Sequence, residues 1–195
     1  MLPVEIPAAG LLMRPWRVAD APAVAAALAD PAIALWNPSS AAIDLDGALD
    51  WVARRADWSD GSHASFAITE DRGGPLLGSV SLHRINWQMQ DAAIGYWTVR
   101  AARGRGIAGR AVDAVTTWAF EALDLHRVEL CHAVANAASC RVAAKAGFPL
   151  EGTLREAYRY GDGQRYDEHL HARLATDPAP LLAPGMPSGA GRRGR

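Results

Sequence analysis

The amino-acid sequence predicts a single α/β domain with seven strands and about four helices. Short apolar runs typical of strands alternate along the chain with segments in which apolar residues recur at helical spacing. The chain has 195 residues, of which 50% are hydrophobic, and this is enough to bury one core. We therefore assign residues 1–176 to one domain. Residues 177–195, rich in Pro, Gly and Arg, are expected to be disordered.

The first half of the chain is predicted to hold three strands and two helices. A strand at LLMRPW precedes an Ala-rich helix that starts at Asp20 and ends near Asp30. A second helix, LDGALDWVARRADW, is capped by Asp44 or Asp46. The residues expected on its apolar side are Leu45, Leu49, Val52 and Trp58. Two strands follow, SHASFAITE and PLLGSVSLHRI, joined by the glycine-rich turn DRGGP.

The second half is predicted to hold four strands and two helices. The strand AAIGYWTV leads into a glycine-rich turn and then into an amphipathic helix. The apolar residues of that helix recur at Ile107, Ala111, Val115, Trp118 and Ala122. The strand RVELCHAV, the helix NAASCRVAAKAGF and two strands around GTLREAYRYGD and GQRYDEHLHARL complete the domain.

Composition excludes several classes of protein. A net charge of −1 offers no overall attraction for nucleic acid. Cys131 and Cys140 form no CxxC pair and no His/Cys motif, so neither a metal site nor a disulfide is expected from them. No apolar run approaches the ~20 residues of a membrane span. The first residues, MLPVEIPAAG, lack the basic region of a signal peptide. We therefore expect a cytoplasmic protein that binds no membrane.

The glycine-rich turn between a strand and a helix is the strongest sign of ligand binding. Such a turn lets backbone N–H groups converge at the positive end of the helix dipole, where a phosphate can bind. Its glycines are Gly104, Gly106 and Gly109, and its cations are Arg103, Arg105 and Arg110. A tight turn also favours glycine without any ligand.

Three motifs compete for this turn. Gly104-x-Gly106-x-x-Gly109 satisfies the dinucleotide fingerprint, but four residues separate the strand from its first glycine and the next strand lacks a terminal acidic residue. The P-loop pattern requires Lys followed by Ser or Thr, where this chain has Arg110 and Ala111. The third motif, Arg103-x-x-Gly106-x-[Gly/Ala], is followed downstream by Asn136-Ala-Ala-Ser-Cys-Arg-Val-Ala-Ala-Lys-Ala-Gly-Phe.

This third combination resembles the GNAT acyltransferase superfamily. The segments LLMRPWRVADAPAV, AAIGYWTVRAARGRGIAG, HRVEL, NAASCRVAAKAGFPLEGTLRE and the late Tyr-Asp pair are similar, in order, to its ribosomal-protein N-terminal acetyltransferase (Rim-type) branch. The resemblance covers residues 11–174. It implies a mixed, mostly antiparallel sheet flanked by helices, with two central strands splayed to admit acyl-coenzyme A.

The resemblance also implies which residues hold the coenzyme. Backbone groups of the strand before the turn would pair with the pantetheine arm, and those of the turn would hold the diphosphate. The coenzyme-binding residues expected are Trp97, Thr98, Val99, Arg103, Gly104, Arg105, Gly106, Ile107, Ala108, Gly109, Asn136 and Ser139. The N–H of Trp97 or Thr98 is expected to stabilise the oxyanion. Acetyl-CoA or another acyl-CoA is the expected co-substrate, and no metal is expected.

Two catalytic positions of the superfamily differ here. Ala143 stands where many members have the tyrosine that protonates the leaving thiolate, and in this branch Ser139 is expected to act there instead. Ala93 stands where a glutamate often precedes the IGYW strand core. Glu129 and His83 are the candidate bases, and a water chain or no dedicated base stays open. Ser139 also fits a purely structural role in the first turn of a helix.

The acceptor amine is less well defined by the sequence. Its expected site combines the loop between the first two helices with the last hairpin, through Trp36, Asn37, Tyr166 and Asp167. The first choice of acceptor is a protein or peptide α-amine. A small-molecule amine such as an antibiotic, a polyamine or an amino acid is the alternative, and so is a non-catalytic acyl-CoA sensor. A homodimer would be unsurprising for this branch.

Overall fold

One mixed sheet forms the centre of the molecule. The computed structural model describes residues 1–37, 43–70 and 74–180, and all ranges below refer to these. The strands are β1 (Ile6–Ala8), β2 (Leu11–Pro15), β3 (Ala64–Thr69), β4 (Gly78–Asn86), β5 (Asp91–Thr98), β6 (Arg127–Ala133), β7 (Leu150–Arg159) and β8 (Arg165–Leu174). The α-helices are α1 (Ala21–Leu28), α2 (Pro31–Trp36), α3 (Leu45–Ala56), α4 (Ile107–Leu123) and α5 (Ala137–Lys145).

The strands lie in the order β1-β2-β3-β4-β5-β6-β8-β7. Each neighbouring pair is antiparallel except β5 and β6, which are parallel. The predicted mixed, mostly antiparallel sheet is therefore confirmed. The hairpin predicted across the turn DRGGP forms between β3 and β4, although part of that turn, residues 71–73, lies outside the described residues.

The described chain has eight strands and five α-helices, one more of each than predicted. The extra strand, β1, pairs with β2 across a turn at Ala9 and Gly10, both of which have positive φ. The extra helix, α2, begins where the sequence predicted that the first helix ends. Asp30 Oδ1 accepts a hydrogen bond from Ala32 N–H at 2.9 Å, and Pro31 occupies the first helical position. Asp30 therefore starts a new helix rather than only ending α1.

Helices cover both faces of the sheet. Helices α4 and α5 pack on one face over a core that includes Ile107, Val115, Leu130 and Phe148. Helices α1 to α3 pack on the other face around an aromatic cluster whose members are Trp16, Trp51 and Trp97. The site described below lies where the sheet opens between these two layers.

The apolar side predicted for α3 is partly wrong. Leu45 and Leu49 are 52% and 37% exposed, whereas Ala48, Trp51 and Val52 are buried. The large Trp51 ring packs against Trp16 at 4.8 Å between centroids, so the face of α3 that carries Trp51 is the face that packs on the sheet. Of the two caps proposed, Asp44 is the one observed, since its Oδ1 accepts from Gly47 N–H at 2.9 Å.

No helix in the described part of the chain is long and apolar enough to cross a membrane. The predicted disordered tail lies mostly outside the described residues, because the description ends at residue 180.

Candidate functional site

The sheet opens between β5 and β6. The two strands pair at three positions only, the last joining Ala93 to Glu129. Beyond this point β5 continues to Thr98 and β6 to Ala133 without pairing to each other. The predicted splay of the central strands is thus confirmed, and it leaves the backbone groups along one side of β5 free for a ligand.

Alternation along β5 decides which N–H groups face this gap. Val99 N–H donates to Leu77 O at 3.0 Å, on the side of β4. Successive residues of a strand direct their backbone groups to opposite sides, so Trp97 N–H also faces β4. The N–H groups of Tyr96 and Thr98 face the gap. Of the two oxyanion donors predicted, this geometry favours Thr98 over Trp97.

The glycine-rich turn closes one end of the gap. Gly104 and Gly106 have φ of +74° and +71°, a left-handed conformation in which side chains are strained. A Cβ added to Gly104, Gly106 or Gly109 would meet no atom within 4 Å, so the surface of the turn is open. Helix α4 begins at Ile107 directly after it, and the N–H groups of its first turn have no intrahelical partners. The turn therefore has the form of an anion site.

Basic side chains surround this turn. No acidic residue of the described chain lines the cleft. Five basic residues do so, namely Arg103, Arg105, Arg110, Arg141 and Lys145. Arg103 binds Asp30 Oδ2 at 3.0 Å and Thr98 O at 3.3 Å, and Arg105 pairs with Glu70. Arg141 and Lys145 have no ion-pair partner among the residues that the structure describes. These two cations on α5, which sequence reasoning missed, are free to meet a polyanion.

The start of α5 lies across the gap from the glycine-rich turn. Asn136 caps this helix, with its Oδ1 accepting from Ser139 N–H at 3.3 Å, and both residues line the cleft. Ala143 is fully buried, so nothing at that position can donate a proton to a ligand. Asn136 therefore caps α5 and lines the cleft as well.

Tyr96 is a candidate that sequence reasoning missed. Its hydroxyl is shielded from water and has no hydrogen-bond partner within bonding distance among the described residues. Burial raises the pKa of this phenol to about 12, and the neighbouring Ser139 hydroxyl offsets part of the rise. Tyr96 also lines the cleft. Tyr96 thus places in the cleft a phenol that stays protonated at neutral pH.

The two candidate bases lie on one face of the sheet. His83 pairs with Ala93 across β4 and β5, and Ala93 pairs with Glu129 across β5 and β6, so the three form a row. Ala93, the position where a glutamate often stands in the superfamily, thus lies between His83 and Glu129. Neither His83 nor Glu129 lines the cleft itself.

The surroundings of the two bases differ. Glu129 accepts two hydrogen bonds from Arg127, at 3.1 and 3.2 Å. Surrounding protein atoms, followed by the positive charge of Arg84, lower the pKa of His83. His83 is consequently neutral at pH 7, the form that can accept a proton.

Aromatic rings close the other end of the cleft. Trp36, at the end of α2, packs edge-on against Tyr160 and Tyr166, with centroids 5.4 and 5.8 Å apart. The cleft is lined here by Trp36, Asn37 and Tyr160. Tyr160, which the sequence did not single out, donates to Glu168 Oε1 at 2.7 Å, and burial together with this carboxylate raises its pKa far above the ordinary range.

Asp167, the fourth residue predicted for the acceptor site, lies outside the cleft. Its Oδ1 accepts a hydrogen bond from Glu156 N–H at 2.8 Å, at an irregularity in the pairing of β7 with β8. Glu156 has a φ of +47° there, so the carboxylate stabilises a strained backbone position. Of the four predicted acceptor residues, Trp36 and Asn37 line the cleft, Tyr166 packs on Trp36 behind the lining, and Asp167 lies outside it.

One continuous cleft of about 1000 Å³ joins these parts. It runs from the glycine-rich turn, through the gap beside β5, to the aromatic rings. A phosphate-bearing ligand at one end and an amine at the other would therefore meet between β5 and the start of α5.

A family model described as "Acetyltransferase (GNAT) domain" matches residues 10–149. The chain belongs to this GNAT acetyltransferase family. YdaF of Bacillus subtilis (strain 168), named as a ribosomal N-acetyltransferase, is 36% identical over 132 residues, which span 67% of this chain and 69% of that protein.

Two further comparisons agree with the family. The ribosomal-protein-serine acetyltransferase of Escherichia coli (strain K12) is 35% identical over 100 residues, 51% of this chain and 55% of that protein. RimJ of Mycobacterium smegmatis, solved in complex with CoA-disulfide, superposes with a TM-score of 0.74 at 26% identity and 90% coverage of each chain. The resemblance to the Rim-type branch is thus confirmed.

Proposed function

We propose that this N-acetyltransferase moves an acetyl group from acetyl-CoA to the N-terminal α-amine of a protein or peptide. The observation that carries the proposal is the single cleft, with an anion site at one end and an aromatic pocket at the other. The names of YdaF and of the E. coli relative refer to ribosomal proteins, which supports a protein acceptor.

The anion site would hold the diphosphate of the coenzyme. Its N–H groups come from Gly104 to Gly109, and the first turn of α4 adds the positive end of a helix dipole. Arg141 and Lys145 would add charge to the phosphates from the opposite side. Arg103 keeps part of its guanidinium on Asp30, so in this proposal it shapes the turn as well as attracting the anion.

The pantetheine arm would then lie along β5, with its amides paired to the free backbone groups of Tyr96 and Thr98. This places the thioester carbonyl near the Thr98 or Tyr96 N–H as the oxyanion donor. A preorganised donor of this kind is worth roughly 2.7–4 kcal/mol of transition-state stabilisation.

The reaction itself is a direct attack. The neutral amine nitrogen forms a bond to the carbonyl carbon and gives up a proton to the base or to water. The C–S bond then breaks, and the leaving thiolate takes up a proton. Ser139 and the buried Tyr96 phenol would deliver that proton, since they are the hydroxyl groups at the junction of β5 and α5. The phenol, with its pKa of about 12, is protonated throughout the physiological range.

The amine must lose a proton before or during attack. An α-amine has a pKa of about 7.7–8.0, so a substantial fraction is already neutral near pH 7. A lysine side chain or a polyamine, with a pKa near 10.4, would need a stronger base. His83 is the better of the two candidate bases, because the Glu129 carboxylate already accepts two hydrogen bonds from Arg127. The modest base available favours an α-amine acceptor.

An acceptor screen tests the proposal. The full chain is incubated with acetyl-CoA and either peptides with free N-termini, the same peptides blocked at the α-amine, or small amines (a polyamine, an aminoglycoside and free amino acids). We expect transfer to the free peptides at a kcat/KM at least about tenfold above that of any small amine. Preference for a small amine would overturn the peptide assignment. Tight acetyl-CoA binding without transfer to any amine would identify a sensor instead.

A further inference from the structure

Half of the histidines of this chain meet at one point of the fold. His132 of β6, His169 and His171 of β8, and Cys140 of α5 each direct one potential ligand atom to a common centre. These four atoms all lie within 4.8 Å of one another. The register explains the meeting, because His132 pairs with His169 and His171 pairs with Leu130, so all three histidines share the face covered by α5.

Two of the histidines have a fixed tautomer. His132 Nδ1 bonds Ala133 O at 2.8 Å, and His171 Nδ1 bonds Phe148 O at 3.0 Å. A carbonyl oxygen can only accept, so both Nδ1 atoms must donate, and in the neutral ring Nε2 then carries a lone pair. These two Nε2 atoms lie 3.2 Å apart. Two lone pairs at this distance repel unless a proton or a cation lies between them.

The arrangement matches that of a zinc site. Zinc-bound histidines typically donate their second nitrogen to a backbone carbonyl, as His132 and His171 do. Two nitrogens bound to a tetrahedral zinc at about 2.0–2.1 Å are about 3.3 Å apart. A thiolate and three imidazoles form a donor set that suits zinc. His169 Nδ1 adds a second sign, since it is shielded from water without a hydrogen-bond partner among the described residues.

We propose that His132, Cys140, His169 and His171 bind one Zn²⁺ ion, separately from the acetyl-transfer reaction. His132 also lines the coenzyme cleft, which gives the ion a route inward. On binding, the Cys140 thiol releases its proton to solvent and becomes the thiolate ligand. The bound ion joins α5 to β6 and β8, directly beside Ser139. It is therefore a clamp that fixes the start of α5 against the sheet.

Direct metal binding tests the site. The full chain is stripped with a chelator, and Zn²⁺ is titrated against a chromophoric competitor. We expect one Zn²⁺ per chain, and a loss of affinity beyond about 100-fold in Cys140→Ser, more than the 10–100-fold typical of an outer-shell partner. Cys131→Ser is the matched control, because Cys131 lies on the opposite face of β6. Its zinc affinity should equal that of the unaltered chain.

Cobalt gives a second readout that does not depend on activity. Co²⁺ bound to the unaltered chain and to Cys131→Ser should show the visible bands of four-coordinate cobalt and a thiolate-to-metal charge-transfer band. Cys140→Ser should lack the charge-transfer band, and His169→Gln should weaken binding even if Cys140→Ser misfolds. Absence of stoichiometric zinc in the unaltered chain, or equal zinc affinity in Cys140→Ser, would overturn the proposal and leave His132 and His171 as a pair sharing a proton.

Discussion

The two ends of the cleft present different chemical groups to a ligand. The end proposed to bind the coenzyme, which we call the donor end, comes from β5, the glycine-rich turn and α4, which are continuous in sequence, and it presents mainly backbone N–H groups. The end proposed to bind the amine, which we call the acceptor end, comes from Trp36, Tyr160 and Tyr166, which are far apart in sequence and present side chains. Backbone recognition needs a particular chain conformation, whereas side-chain recognition depends on which rings the fold brings together.

The difference explains why the sequence defines one end more sharply than the other. A left-handed turn before a helix limits positions such as Gly106 to few residues, so the donor end is marked clearly in this sequence. The aromatic end can change by single substitutions without disturbing the sheet. Arg103 joins the two ends, because its partner Asp30 also caps the helix that carries Trp36.

The largest expected effect is at the donor end. Gly106→Glu places a charge in the anion site, so acetyl-CoA affinity should fall by more than about 1000-fold, measured by calorimetry. Gly10→Glu is the matched control, since Gly10 has a φ of +80° and equally open space outside the cleft. Both variants carry a similar backbone strain of about 1–2 kcal/mol. Equal loss of affinity in both would show that folding, not the anion site, was damaged.

The second largest expected effect is on kcat, through the residues proposed to protonate the leaving thiolate between the two ends of the cleft. Ser139→Ala should lower kcat by about 100-fold while the acetyl-CoA dissociation constant changes by less than about twofold, because a positioned acid contributes about 10²–10⁴-fold. Tyr96→Phe should have a similar effect, and the double variant should lose less than the product of the two. Tyr158→Phe, on the exposed edge strand, is the control. Unchanged turnover in Ser139→Ala would remove this residue from the mechanism.

A smaller effect belongs to the acceptor end alone. Trp36→Ala should raise the peptide KM by about tenfold, because an aromatic contact is worth about 0.5–1.5 kcal/mol, with acetyl-CoA affinity unchanged. Trp87→Ala is the control, since this ring is 48% exposed and bonds Gly61 O outside the cleft. A change in acetyl-CoA affinity rather than peptide KM would contradict the division of the cleft.

The smallest effect is in the pH profile. The pKa of His83 is lowered, so its neutral, proton-accepting form is present above that pKa and is lost as pH falls through it. As pH falls, we expect kcat/KM to decline first through protonation of the α-amine, whose pKa is about 7.7–8.0, and then through a second step from protonation of His83. His83→Gln should lower the plateau a fewfold and remove only this second step. Glu129→Gln should leave it in place. A profile unaltered by His83→Gln would assign proton removal to water.

The donor end could be predicted from the sequence, and the acceptor end only in part. The turn, the splayed strands and the Asn136 cap are local features that each follow from a short segment. Tyr96 was missed because its importance depends on which way the phenol faces from β5. Tyr160 was missed because the contact with Trp36 joins segments more than a hundred residues apart.

Two other features depended on packing. Leu45 and Leu49 of α3 fitted the helical period, but Trp51 turned its own side of the helix inward. The histidine and cysteine cluster has no motif spacing, because the register of β6 with β8 assembles it. The periodicity of a single segment predicts neither which face of a helix a neighbouring ring buries nor how two strands align.

The proposed function requires the coenzyme end and the aromatic end of the cleft to act together on an α-amine. To check this, the enzyme is incubated with acetyl-CoA and a peptide that carries both a free N-terminus and an internal lysine, and the acetyl group is located by fragment-ion mass spectrometry. The proposed function predicts one acetyl group, on the N-terminal nitrogen. Acetylation of the lysine alone, or of neither nitrogen, would contradict it.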